Sequence, residues 1–134
     1  MSEKPHKKLI AWQKAMELIE AVYALTRRLP REEQFGLVAQ MRRAAVSVAS
    51  NIAEGAARQT IKEQVQGFYI ARGSISELDT QMEIVHRLGM ISTEQRTQVI
   101  EELNEVGRLV NGLIVSKKRG ATQSYSLTHN SLTH

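Results

Sequence analysis

"RRAAVSVASNIAEGAAR", residues 42–58, decides the fold. Two arginines open it, a third closes it, and nothing aromatic lies between them. With Val38 and Met41 just upstream, Ala45, Val48 and Ile52 recur at spacings of three and four, so a helix turning about 100° per residue carries all five on one face. Ala39, Val46, Ser50, Ala53 and Ala57 form a second stripe, displaced by roughly a quarter turn, with Arg43 at its edge. A helix with two such faces needs two partners. The first stripe suits the core of its own bundle. The second is expected to pack against another subunit, although alanine is also a good helix former at any exposed position. The helical spacing and the single glycine, Gly55, argue against a phosphate-cradling loop.

The flanking sequence repeats the helical period. Leu9, Trp12, Met16, Ile19, Tyr23 and Thr26 predict a first helix over about 7–29, which Pro30 stops. The second then runs over about 31–57, with Gly36 loosening its first turn. Thr60 and Glu63 have capping-box spacing and start a third helix. Its stripe is Ile61, Val65, Phe68, Ile75, Leu78, Met82 and Val85, and Gly89 is a natural stop. Ser92 and Gln95 repeat the capping signal before a fourth helix with Val99, Leu103, Val106, Val110 and Leu113, ending near Lys118. Short connections make consecutive helices antiparallel neighbours. The expected fold is all-α: an antiparallel, up-down-up-down four-helix bundle over 1–119, followed by a flexible C-terminal tail over 120–134. That tail is rich in Ser, Thr, Asn and His and contains "SLTH" twice, at Ser126 to His129 and Ser131 to His134.

Composition bounds the function classes. The 134 residues contain no cysteine, so disulfides and thiolate chemistry are excluded and a reducing compartment is expected. No apolar run approaches the roughly 20 residues of a membrane span, and "MSEKPHKK" leads into an amphipathic helix rather than a secretory core, so the cytoplasm is expected. Glu83-x-x-His86 resembles half of a carboxylate-bridged di-iron motif, but the chain has no second copy, and no metal or cofactor is expected. Ser47, Ser50, Ser74 and Ser76 lie within helices without a histidine at helical spacing to act as base. No catalytic residue or small-molecule substrate is assigned. Arg72 and Asp79 lie seven apart beside the apolar stripe of helix three. Either their stems cover the core while the charges reach water, or they form a buried or interfacial ion pair that sets register.

The net charge of +4 is modest, so its placement matters more than its size. Up-down topology gathers Lys4, Lys7, Lys8, Arg58, Lys62, Lys117, Lys118 and Arg119 at one end, against Glu3, Glu54 and Glu63. The opposite end mixes Arg27, Arg28, Arg31, Arg87 and Arg96 with Glu32, Glu33 and Glu94. The basic end would attract RNA or DNA phosphates without reading sequence, since no aromatic stacking set or base-reading motif accompanies it. Lysines near a helix C-terminus also favour the macrodipole and keep a surface soluble. A purely structural or protein-binding module is therefore the alternative expectation.

"RRAAVSVASNIAEGAAR" followed by "FYIARGSISELDTQMEIVHRLGMIS" resembles the bacterial four helix bundle protein family, whose members include proteins encoded within intervening sequences of 23S ribosomal RNA genes. The likeness spans about residues 8–118, and "NIAEG" and "GS-x-x-EL" are its most specific elements. More distantly the chain is similar to the accessory variability determinant of diversity-generating retroelements. The resemblance implies a protomer that assembles into a homopentameric barrel, without catalytic activity. In the retroelement relative a basic surface contacts nucleic acid and a reverse transcriptase. Asn51, Glu54, Ser74 and Glu77 match the family's polar pattern, and no catalytic role comes with them.

Overall fold

Apolar residues at three- and four-residue spacing fold the chain into four helices: α1 (Ile10–Thr26), α2 (Ala39–Ala57), α3 (Ile61–Arg87) and α4 (Thr93–Leu132). The computed structural model describes residues 4–132, with side chains over 4–121. Each helix packs antiparallel against its neighbours in the order α1–α2–α3–α4, and α4 closes the ring on α1. Among the described residues no helix is long and apolar enough to cross a membrane.

The core stripe of α2 is as expected: Val38, Met41, Ala45, Val48 and Ile52 are all buried. Val65, Phe68, Leu78, Met82 and Val85 of α3 and Val99, Leu103, Val106 and Val110 of α4 face them. Fully burying one such large side chain is worth about 1.5–3 kcal/mol. Helix α1 is rotated from its expected register. Its buried set is Ala11, Ala15, Leu18, Val22, Leu25 and Thr26, whereas Trp12 and Ile19 are partly buried against the core and Met16 is exposed. Both sets have helical spacing. The alanine-containing set wins because small side chains let α1 approach closely while Trp12 and Ile19 seal its flanks. Ile61 similarly lies exposed at the start of α3.

The helix ends follow local chemistry. Thr60 accepts the Glu63 N–H at 3.2 Å and donates its hydroxyl to the Glu63 carboxylate at 2.8 Å. Ser92 and Gln95 make the full reciprocal box, Ser92 N–H to Gln95 Oε1 at 2.8 Å and Gln95 N–H to Ser92 Oγ at 3.1 Å. Gly89, at φ +74°, ends α3. Its N–H donates to the His86 carbonyl, and Met90 N–H donates to Val85, the paired bonds of a Schellman motif.

Three boundaries differ from expectation. Pro5–Lys8 is a separate 3-10 turn, followed by extended Leu9, so α1 begins only at Ile10. Gly36, at φ −106° and ψ −107°, occupies a region that residues with a side chain rarely adopt. It breaks the segment over 31–57 into a 3-10 turn, a π-type turn (Gln34–Val38) and α2. Finally, α4 does not end near Lys118: it continues through Gly120 to Leu132, with no proline to stop it. The second "SLTH" runs out of the described residues at its end.

Candidate nucleic-acid interface

The antiparallel order brings the Pro5–Lys8 turn, the end of α2, the start of α3 and the Lys117–Arg119 part of α4 to one end of the bundle. The Pro5–Lys8 turn packs against α2, which sets Lys7 and Lys8 on the same side as Arg58. Lys4, Lys7, Lys8, Arg58, Lys62, Lys118 and Arg119 are exposed, and Lys117 is half-buried. Among the described residues the ion pairs are Lys14–Glu17, Arg87–Glu83 and Arg96–Glu83. None of them involves Lys4, Lys7, Lys8, Arg58, Lys62, Lys117 or Arg119. At the opposite end Arg87 and Arg96 both bond Glu83 at 2.9 Å, while Arg27, Arg28 and Arg31 make no ion pair among the described residues. Those hydrogen bonds, with the arginine charges, hold the Glu83 carboxyl below the usual carboxylate range.

Of the clefts at the basic end, two are walled by the start of α3. One of about 670 Å³ lies between the end of α2 and the start of α3, where Arg58 and Lys62 face Glu54 and Glu63. Its mixed charge does not favour a polyanion. The other, about 480 Å³, lies between the start of α3 and α4 and is walled by Lys62, Tyr69 and Lys118. Lys118 Nζ donates to the Tyr69 hydroxyl. The Arg72 guanidinium lies over the same ring, 4.7 Å from its centroid, and reaches Asn111 Oδ1 at 3.4 Å.

Arg72 and Asp79 can be placed within the protomer. Both are exposed, and the two are not paired: Arg72 turns to Tyr69 and α4, where a planar guanidinium stacks on a ring. The inward anchor is Arg42. It stacks on Tyr23 at 4.4 Å and donates Nε to Thr26 Oγ1 at 2.9 Å. Thr26 is buried and passes its own proton to the Val22 carbonyl at 2.8 Å, so α1 and α2 are tied through a satisfied polar chain.

The second stripe of α2 points away from the core rather than a quarter turn aside. Ala53 and Ser50 stand about 120° and 180° from Met41 at 100° per residue. Arg43, Val46, Ser50 and Ala57 are exposed, and Ala39 and Ala53 half-buried. The tightest small-residue packing is elsewhere, inside the protomer. A Cβ on Gly67 would stand 2.7 Å from Gly55 Cα, so α2 and α3 touch backbone to backbone. Ser47 and Ser74 hydrogen-bond at 2.8 Å across the same seam, and Asn51 Nδ2 donates to the Ser47 carbonyl at 2.8 Å.

The remaining sequence signals fall outside the basic end. His86 Nε2 lies 3.1 Å from Thr93 Oγ1, and no cluster of three or more His, Cys, Asp or Glu able to hold a metal occurs among the described residues. On the α1–α4 face, burial and the neighbouring Glu17, Glu105 and Glu20 raise the Glu102 carboxyl above its usual range, against the opposing pull of Lys14. Charge is thus segregated, with an acidic side and a basic end. Sequence reasoning missed Tyr69 and Gly67. The Tyr69-x-x-Arg72 spacing was a legible signal for the stacked pair, whereas Lys118 lies on another helix and left none.

A family model described as 23S rRNA-intervening sequence protein matches residues 7–112. No curated protein matches the chain. Among solved structures it is similar to a protein with unknown function from the S23 ribosomal protein family of Bacteroides thetaiotaomicron VPI-5482. The TM-score is 0.73 at 23% identity, over 78% of this chain and 95% of that one. That likeness establishes the shared fold alone.

Proposed function

Because the chain belongs to the 23S rRNA-intervening sequence protein family, we propose that it is a non-enzymatic, cytoplasmic, homo-oligomeric scaffold that binds RNA or DNA weakly through its basic end. The observation that carries this reading is the excess of exposed cations at that end. Lys4, Lys7, Lys8, Arg58, Lys62 and Arg119 are exposed there, and neither they nor Lys117 make an ion pair among the described residues; at the far end Arg87 and Arg96 share Glu83, and Arg27, Arg28 and Arg31 make no ion pair. Cations that outnumber the local carboxylates raise the potential over that end and draw phosphates by releasing counterions. The outward stripe of Ala39, Val46, Ser50, Ala53 and Ala57, with Arg43, supports assembly, since solvated helix faces are ordinarily polar. Five protomers packed side by side would join the basic ends into a rim.

Filter binding against a mixed-sequence oligonucleotide tests the contact. Six to ten phosphate contacts lose about a thousandfold or more in affinity between roughly 50 and 200 mM salt. Reversing Lys7, Lys8, Lys117 and Lys118 to Glu abolishes binding. Salt-independent binding, or none at low salt, refutes the contact. Sedimentation tests assembly separately: Ala53→Arg dissociates the oligomer, and a monomeric wild type rejects it.

A second reading, a protein-interaction module without nucleic acid, is favoured by the far end. There Phe35 is 92% exposed and Leu88 62% exposed. Copurification of a protein partner that Phe35→Ser releases, with no nucleic acid carried along, supports this reading over the first.

A further inference from the structure

The cleft between the start of α3 and α4 has more than charge. Ile61, Val65 and Tyr69 line it with apolar and aromatic surface, and Lys62, Gln66 and Lys118 line it with polar groups. Its volume of about 480 Å³ falls within the ~300–1,000 Å³ of small-ligand sites. Tyr69 is held from two directions. Its hydroxyl accepts from Lys118 Nζ, which fixes the outer edge of the ring. Arg72, one turn further along α3, presses its guanidinium against the ring, while Ile61, Lys62 and Val65 lie one and two turns before it. Tyr69 itself is half-buried against the core and lines the cleft with the part of its ring left open.

We propose that this cleft is a base-stacking site for single-stranded nucleic acid, with Tyr69 as the platform and Lys62 at the phosphate edge. The inference rests on the nucleic-acid reading above and specifies its partner. An aromatic ring already ordered by Arg72 and Lys118 loses little rotamer freedom when a base is laid on it. Every base has a π-face, so such a platform tolerates sequence. It does not tolerate a duplex, in which both faces of each base are already stacked. The site thus adds a preference for unpaired strands that the cations alone, which recognise only phosphate, do not supply.

The experiment uses the full chain and a short oligonucleotide carrying 2-aminopurine, as single-stranded RNA, as single-stranded DNA and as the DNA duplex, at low salt. Quenching by either single strand, with weaker binding of the duplex, supports the proposal; quenching confined to RNA assigns RNA. Tyr69→Leu is expected to lose about 5- to 150-fold in single-strand affinity, the worth of one stacked base, together with the quenching. It keeps the salt dependence, because no charge is removed. Tyr69→Phe lacks the hydroxyl bond to Lys118 but keeps the ring, and retains most of the affinity; loss of 2-aminopurine quenching in Tyr69→Leu with an unchanged circular dichroism spectrum and thermal midpoint separates stacking from a merely structural role. Salt-sensitive binding that is equal for single strand and duplex, or unchanged in Tyr69→Leu, overturns the stacking site and leaves the basic end standing. Absence of binding to all three probes overturns both.

Discussion

Replacing Gly67 with alanine tests the close α2–α3 packing beside the cleft of about 670 Å³. In a helix interior, alanine is favoured over glycine by about 1 kcal/mol, so propensity alone predicts stabilisation. The structure predicts the reverse. The added Cβ would stand 2.7 Å from Gly55 Cα, 3.0 Å from Gly55 N and 3.2 Å from Asn51 O. All three are backbone atoms, so no side chain can swing away. Restoring an ordinary contact requires α2 and α3 to part locally by about 0.7 Å. Overpacking of this kind costs about 1–3 kcal/mol, and here it also strains the 2.8 Å Ser47–Ser74 bond two turns along. Gly73 supplies the control within the same helix, since a Cβ there meets nothing within 4 Å. Gly73→Ala should gain up to about 1 kcal/mol, while Gly67→Ala, with the same propensity gain set against the overpacking, loses up to about 2, a separation of roughly 1–3 kcal/mol. Urea unfolding followed by circular dichroism, at matched protomer concentration, reads this as opposite shifts in midpoint with an unchanged slope. A Gly67→Ala protein as stable as Gly73→Ala would refute the backbone contact.

The acidic side and the helix caps give two further tests. Glu102 has a folded pKa raised by burial and by Glu17, Glu105 and Glu20. The native state therefore binds the extra proton, and stability falls as pH rises through the folded pKa. Glu102→Gln should raise the melting temperature at neutral pH, and the gain should vanish below the ordinary carboxylate range; a gain independent of pH contradicts the assignment. Ser92→Ala removes the acceptor for Gln95 N–H and should cost about 1 kcal/mol, or roughly 3–5 °C in thermal unfolding. An unchanged melt shows that the cap contributes nothing to α4.

What could be read from the chain depended on whether a residue's role is set by its own helix. Val38, Met41, Ala45, Val48 and Ile52 announce a buried face because the helical period alone aligns them, and Thr60–Glu63 and Ser92–Gln95 announce caps because both partners lie within one turn. The α1 register was not legible. Its apolar residues fill two adjacent stripes, and only the closeness of α2 and α4 selects Ala11 and Ala15 over Met16. Gly67 was silent for the same reason. A mid-helix glycine has no period, and its meaning comes from Gly55 across a turn. At the basic end the gathering of lysines followed from topology, but the ordering of Tyr69 by Arg72 and Lys118 required the α3–α4 approach.

Within residues 42–58 the roles divide residue by residue. In "NIAEG" each side chain points a different way: Asn51 bonds back to the Ser47 carbonyl and hydroxyl, and Ile52 is fully buried. Ala53 lies half-buried on the outward stripe, Glu54 lines the α2–α3 cleft, and Gly55 admits the backbone of α3. "GS-x-x-EL" answers it from the facing helix, where Ser74 bonds Ser47 and Leu78 is fully buried. A motif can therefore be specific without being catalytic, because one short helical stretch meets the core, a neighbouring backbone and an open face at once. The polar members fix the register of α2 on α3 through Ser47, and the glycines fix its distance. That geometry sets where α3 starts relative to α2, and hence where Arg58 and Lys62 stand. Charge reversal at the lysines should abolish nucleic-acid binding with the fold intact, whereas Gly67→Ala should weaken stability first and binding only through the displaced start of α3.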